Sequence, residues 1–218
     1  MVGYSGCGTR RFKAVRVIAG KYRGRVLRSL SGQDIRPTSD RLRETLFNVL
    51  TAGNPAALEG TVWLDLFAGT GAVGIEALSR GARQIYFVEN SDRAAKLIER
   101  NLQSLEIGDG YKILPDDLAK IIWQLQRQHV TADVVFLDPP YRMREAYKET
   151  LTALSESSLV WAMSLVIAEH EKQFDLGDEF GSLRRVRRLV QGNNALSFFR
   201  IGGSPDLNEH FSRKLSAE

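Results

Sequence analysis

From about residue 60 onward, short apolar runs alternate with stretches whose apolar positions recur at helical spacing. Residues 62–67, 84–89, 111–114, 133–138 and 159–168 are the apolar runs, rich in β-branched and aromatic side chains, and predict strands. Between them, residues 72–80, 92–104, 117–127 and 144–155 predict helices. Apolar strands joined by helical crossovers predict a parallel sheet covered on both faces. The pattern then changes. Residues 183–190 and 195–201 flank Gly192, Asn193 and Asn194, which predicts a β-hairpin and an antiparallel finish to the sheet. Upstream, residues 15–19 and 25–30 predict two short strands around a turn from Gly20 to Gly24. Residues 31–37 predict a loop in which Pro37 keeps Arg36 extended. Thr38 is placed to cap a helix running to about Thr51, with Leu42, Leu46, Phe47, Val49 and Leu50 on its apolar stripe.

The expected organisation is one Rossmann-like α/β domain over residues 36–202, preceded by an arm and hairpin at 1–35 and followed by a polar tail at 203–218. A chain of 218 residues suits that plan. One cysteine, Cys7, excludes a disulfide framework, and the three histidines, His129, His170 and His210, are too scattered for a metal cage. No metal is expected. No uncharged apolar run is long enough to span a bilayer, and no apolar leader segment opens the chain. The expectation is a cytoplasmic monomer without membrane contact.

Charge adds a second axis. Residues 1–43 hold eleven Lys and Arg against Asp34 and Asp40, a net +9, while the remaining 175 residues hold 19 basic and 24 acidic groups, a net −5. A basic arm on a mildly acidic body is the footprint of a nucleic-acid binder. Arg16, Lys21, Arg23, Arg25 and Arg28 would meet backbone phosphates from the hairpin. A solvated basic face is the plainer alternative.

The first strand of the domain leads into Asp65-Leu-Phe67-Ala68-Gly69-Thr-Gly71-Ala-Val-Gly74. Its glycines fit G-x-G-x-x-G between a strand and a helix, and Glu89 follows Gly69 by twenty residues at the end of the next strand. That is also a dinucleotide fingerprint, so a nicotinamide-dependent oxidoreductase has to be weighed. Asp65 shifts the balance. A carboxylate leading the loop is unsuited to a pyrophosphate and suits a cation. S-adenosylmethionine carries a sulfonium and an ammonium and no phosphate. Phe67, Ala68, Gly69 and Gly71 would approach it through the loop, Glu89 would accept from its ribose hydroxyls, and Asn90 would line the pocket. Asp116 or Asp117 would accept from the adenine amino group, unless they serve only to cap the following helix.

The fourth strand of the domain ends in Asp138-Pro139-Pro140-Tyr141. Ligands of open α/β sheets bind at the carboxyl ends of the strands, so this tetrad should face the glycine loop. The two prolines stiffen the backbone and supply no N–H donors. The Asp138 carboxylate and the neighbouring carbonyls are then acceptors for a substrate amine, and Tyr141 offers a face on which a base can stack. An exocyclic amine on a nucleobase is a poor nucleophile, because its lone pair is delocalised into the ring. Holding its N–H bonds in acceptors frees that lone pair for attack on a sulfonium methyl. Such a base must leave its stack to enter the pocket. The tetrad does not choose among guanine N2, adenine N6 and cytosine N4. Glu169 and His170 close the fifth strand and could touch the site, with a core or surface role as the simpler reading.

The loop Asp65 to Gly71, Glu89 and the Asp138 to Tyr141 tetrad together resemble class I S-adenosylmethionine-dependent N-methyltransferases. Upstream, Arg16-Val-Ile-Ala-Gly20-Lys-Tyr-Arg-Gly24-Arg25 and Arg36-Pro-Thr38-Ser-Asp-Arg41-Leu-Arg43-Glu44-Thr-Leu-Phe47 are similar to the RsmD family, guanine-N2 methyltransferases of 16S ribosomal RNA. The resemblance spans residues 16–201. It implies S-adenosylmethionine as cofactor, guanine N2 as acceptor, and ribosomal RNA or an assembling small subunit as partner. It implies cofactor contacts for Asp65, Gly69, Gly71, Glu89 and Asp116, and the catalytic motif for Asp138, Pro139, Pro140 and Tyr141. Arg36 and Thr38 match a motif near the active site. Leu114-Pro115-Asp116-Asp117 departs from the Gly-Asp more usual in the family. A DNA amine methyltransferase and a non-catalytic RNA-binding factor remain the alternatives. The absence of a separate target-recognition domain speaks against the first, and the intact motifs against the second.

Overall fold

The computed structural model describes residues 15–29, 40–140 and 142–202. A two-stranded antiparallel ribbon, β1 (Val15–Arg16) and β2 (Val26–Leu27), precedes helix α1 (Asp40–Leu50). The alternating part follows as β3 (Val62–Leu66), α2 (Ala72–Ser79), β4 (Gln84–Val88), α3 (Asp92–Ser104), β5 (Tyr111–Leu114), α4 (Leu118–Arg127), β6 (Val134–Leu137), α5 (Arg144–Ser155) and β7 (Leu165–Glu171). It closes with β8 (Glu179–Phe180), β9 (Leu183–Gln191) and β10 (Asn194–Ile201).

The strands β3 to β10 form one sheet in the order β5-β4-β3-β6-β7-β10-β9-β8. Strands β3 to β7 are parallel, and β8, β9 and β10 are antiparallel. Alternate strand residues divide the core in two. Trp63, Phe87, Phe136, Ile167 and Phe198 pack with α1, α2 and α3 on one face. Leu64, Val88, Leu137, Val166 and Phe199 pack with α4 and α5 on the other. This is the class I methyltransferase architecture, with the expected antiparallel finish.

Two expectations need correction. The apolar run at 159–168 is not one strand. Ser164 N–H donates to Trp161 O (2.9 Å) and the Ser164 hydroxyl donates to Ala132 O (2.6 Å), which turns the chain before β7 begins at Leu165. The strand then continues through the polar residues Glu169, His170 and Glu171. The ribbon strands are also shorter than expected, because Ile18 and Ala19 donate their N–H groups to the Glu76 carboxylate (2.7 and 3.0 Å) rather than to a partner strand. The edge strand β8 was not anticipated.

Glu76 anchors the ribbon on α2. Fully buried, it also meets Arg80 at 2.8 Å and Arg43 at 4.0 Å. Arg43 is itself fully buried, bonds Asp40 at 2.9 Å and donates to the Arg16 carbonyl. Its charged partners are therefore Asp40 and Glu76. Burial lowers the Arg43 pKa, and the Asp40 and Glu76 charges oppose that shift. Gly20 belongs to the same dock. It has φ +79°, and a Cβ there would lie 1.8 Å from Ser79 O, so no larger residue fits without movement.

Candidate active site

The strand order reverses between β3 and β6, which makes that boundary the switch point where open α/β sheets bind ligands. The candidate residues leave the carboxyl ends of β5, β4, β3 and β6, four adjacent strands. Across the sheet they run Asp116, Glu89, the glycine loop and Asp138.

The loop after β3 is held by carboxylates. Phe67, Gly69 and Gly71 have φ of 60°, 55° and 73°, and the non-glycine Phe67 is thus kept in the left-handed region. Glu89, half-buried, accepts from Gly69 N–H through Oε2 and from Ser91 N–H through Oε1, both at 2.9 Å. It therefore shapes the loop. Ala68 N–H donates to Val88 O (3.1 Å), and Asn90 is exposed beside Glu89.

Asp65 lies within β3, beneath the loop, rather than at its mouth. It is 2% exposed, and its Oδ2 accepts from Gly74 N–H at 2.9 Å. Burial pushes its pKa up to about 7, the Gly74 N–H opposes that shift, and the nearby Glu89 charge adds to it. A cation placed beside Asp65 would restore the charged form. Gly74 lets α2 lie close against the sheet, since a Cβ there would meet the Phe87 ring at 2.3 Å.

After β5 the two carboxylates divide their work. Asp117 caps α4, accepting from Ala119 N–H at 2.9 Å. Asp116 is exposed, accepts from Asp117 N–H (2.7 Å) and pairs with Lys120 (3.0 Å), and these contacts lower its pKa. The capping alternative thus applies to Asp117, and Asp116 keeps its carboxylate at the strand end.

At the end of β6, Asp138 N–H donates to Leu66 O (3.4 Å), extending the β3–β6 ladder by one residue. Asp138 is half-buried, Pro139 buried and Pro140 exposed. The proline carbonyls have partners within the chain. Pro140 O accepts from Met143 N–H at 2.7 Å, and Pro139 O lies 3.5 Å from the Tyr147 hydroxyl. The two carbonyls expected to serve as substrate acceptors are thus already engaged within the chain. Tyr141, Arg36 and Thr38 lie outside the described residues.

The basic residues of the ribbon, Arg16, Lys21, Arg23, Arg25 and Arg28, are all exposed. Arg25 donates to Ser104 O at 2.8 Å, and Lys21 sits over the Tyr22 ring. The ribbon is tied to the loop by a residue that sequence reasoning missed. Buried Asn101 accepts from Arg28 N–H (2.8 Å) and donates to Arg28 O (3.1 Å) and Thr70 O (3.0 Å). Tyr147 was missed as well. Its hydroxyl donates to Glu169 O at 2.7 Å, joining the ends of β6 and β7. Its spacing with Leu151 and Leu154 reads as core, and only the hydroxyl hinted at more. His170 turns to the other face, where Nε2 meets Ser197 Oγ at 2.8 Å. Burial lowers its pKa.

A family model described as Conserved hypothetical protein 95 matches residues 15–200. Ribosomal RNA small subunit methyltransferase D of Haemophilus influenzae is 38% identical over 160 residues, 72% of this chain and 79% of that protein. The protein of the same name from Escherichia coli K12 is 34% identical over 186 residues, 85% of this chain and 89% of that protein. Among solved structures, that of Escherichia coli yhhF superposes with a TM-score of 0.73 at 29% identity, covering 87% of this chain and 98% of the other.

Proposed function

The chain belongs to the ribosomal RNA small subunit methyltransferase D family, and from that premise we propose that it methylates the exocyclic N2 of a guanine in 16S ribosomal RNA, using S-adenosylmethionine. The observation that carries this reading is the adjacency of β3 and β6. It brings a carboxylate-braced glycine loop beside an Asp-Pro-Pro turn at the switch point of the sheet.

S-adenosylmethionine, when bound, supplies an electrophilic methyl group on a sulfonium. The residues fit it. Asp65 is a buried carboxylate whose ionisation a cation would favour, and a pyrophosphate would gain nothing from it. In this reading Glu89 accepts from the ribose hydroxyls, Asn90 lines the pocket and Asp116 accepts from the adenine amino group. Asp138 accepts an N–H of the guanine amine and orients its lone pair, and the surplus proton on N2 passes to Asp138 or to water. Tyr141 stacks on the base. The exposed cations of the ribbon bind RNA phosphates and give affinity with little sequence information. Among the described residues no helix is long and apolar enough to cross a membrane. A cytoplasmic monomer acting on ribosomal RNA or an assembling small subunit completes the reading.

The test offers purified protein and labelled S-adenosylmethionine to small subunits lacking the modification, to naked 16S RNA and to duplex DNA, followed by digestion to nucleosides. Label in N2-methylguanosine is expected. Label in methyladenine or methylcytosine would keep the site and overturn the substrate. No label in any arm, with S-adenosylmethionine binding measured by calorimetry, favours the non-catalytic reading. NADH binding in place of S-adenosylmethionine favours the oxidoreductase. Asp138→Ala should lower turnover by roughly a thousandfold or more, as loss of a transition-state contact does, while cofactor affinity stays within about twofold. Turnover near wild type would remove Asp138 from the chemistry.

A further inference from the structure

We propose that Glu169 reads the N1–H of the target base and so selects guanine over other amine-bearing bases. This rests on the guanine-N2 reading above. The strands β6 and β7 run parallel in a register that pairs Phe136 with Ile167 and Leu137 with Ala168. Phe136 and Ile167 both pack on the α1, α2 and α3 face. Side chains alternate along a strand. Two residues further on, Asp138 and Glu169 therefore leave adjacent strands on that same face, at the carboxyl edge of the sheet. One phenol serves both strand ends, with the Tyr147 hydroxyl 2.7 Å from Glu169 O and 3.5 Å from Pro139 O. The Glu169 side chain is also fixed. It is 2% exposed, and its Oε1 accepts from Asn194 Nδ2 at 2.8 Å, across from β10.

The chemistry of the bases gives this pairing its meaning. Guanine presents the N2 amine beside N1–H, a row of donors. Adenine presents its N6 amine beside N1, and cytosine its N4 amine beside N3, and both of those ring nitrogens are acceptors. One carboxylate accepts from any exocyclic amine, which is why the Asp-Pro-Pro turn cannot choose the base. A second carboxylate at the neighbouring position is matched by guanine alone. Against adenine or cytosine it faces a lone pair. A base drawn out of its stack is itself removed from water, so this mismatch is not relieved by solvent. Asn194 holds Oε1, and the proposal assigns Oε2 to the guanine N1–H.

The experiment compares guanine with 2,6-diaminopurine at the methylated position of otherwise identical small-subunit RNA. The analogue keeps the N2 amine and turns N1 into an acceptor. Wild-type protein is expected to prefer guanine by about a hundredfold or more in kcat/KM, in line with sites built to bond a donor that the analogue lacks. Equal rates on the two would overturn the proposal, and that measurement needs no variant. In Glu169→Gln the amide oxygen can stay on Asn194 and the amide NH2 then faces N1. The preference for guanine should fall at least tenfold, through a loss on guanine and a gain on diaminopurine. A purely structural Glu169 lowers both rates alike, and an unchanged ratio would overturn the proposal even if stability drops. Failure of the underlying reading looks different, because wild-type protein then labels no guanine N2 at all and both fall together.

Discussion

Glu76 and Asp65 lie eleven positions apart in sequence and on the same side of the sheet, at 0% and 2% exposure, yet their surroundings differ. Glu76, under the ribbon, takes two backbone N–H groups, the Arg80 guanidinium at 2.8 Å and Arg43 at 4.0 Å. Asp65, under the glycine loop, takes one backbone N–H and has a second carboxylate, Glu89, as its charged neighbour. The first carboxylate has its cations built in. The second has another carboxylate in their place, and under the proposed function its cation comes from the cofactor. Burial by itself therefore does not mark a functional acid, and the partners supplied by the fold decide which it is.

The contrast breaks most visibly at Glu76. Glu76→Gln leaves Arg43 and Arg80 facing a neutral amide and should cost about 3–5 kcal/mol, the usual penalty for breaking a buried pair from one side. Urea unfolding measures it. S-adenosylmethionine affinity of the molecules still folded should be unchanged. A loss of affinity without a loss of stability would reverse the assignment.

Asp65→Asn should do the opposite. The folded pKa of about 7 lies above the ordinary 3.8, so the native state favours the protonated form. The wild type then loses stability as pH rises from about 4 to about 7, and below that window it gives up nothing. The neutral variant escapes this loss. Its stability advantage should open across the same window and level off above it. S-adenosylmethionine affinity should rise with pH through 7 in the wild type. In the variant it should be weaker by roughly tenfold or more and flat with pH, because the paired charge is gone. Parallel pH curves for the two proteins would remove Asp65 from the cofactor's charge.

What the sequence disclosed follows the same division. The glycine loop, Glu89 and the Asp138 tetrad are local strings at strand ends, and their adjacency follows from apolar runs that only a parallel sheet can bury. The partners that hold them are not local. Glu76 meets Ile18 across 58 positions, and Asn101 meets Arg28 across 73. Nothing in periodicity encodes such pairs, although a single carboxylate in the otherwise uncharged α2 was a visible signal. Pattern also misled at 159–168, where one serine hydroxyl turns an apolar run that reads as continuous. Among the basic residues, exposure at the ribbon agrees with the expectation from charge. Arg43, in the same basic segment, is instead a buried structural cation.

The ribbon extends the comparison to the protein's surface. Charge reversal of Arg23 and Arg25 together should weaken RNA binding and reduce the slope of log affinity against log salt by roughly two, about one unit per lost phosphate contact. Stability should change little, since both side chains are exposed. An unchanged salt slope would show that the RNA arm lies elsewhere.

The smallest effect separates two neighbouring carboxylates after β5. Asp117 caps α4 through Ala119 N–H, so Asp117→Ala should cost about 1 kcal/mol of stability and leave cofactor affinity intact. Asp116→Ala removes a surface pair with Lys120, an interaction of a kind that contributes little to stability. Its effect should appear in S-adenosylmethionine affinity, by several-fold, because the adenine amino group loses its acceptor. Thermal unfolding and calorimetry on the two variants read both quantities. If Asp117→Ala weakens the cofactor and Asp116→Ala does not, the capping carboxylate is also the adenine acceptor, and the extra aspartate in this chain is the dispensable one.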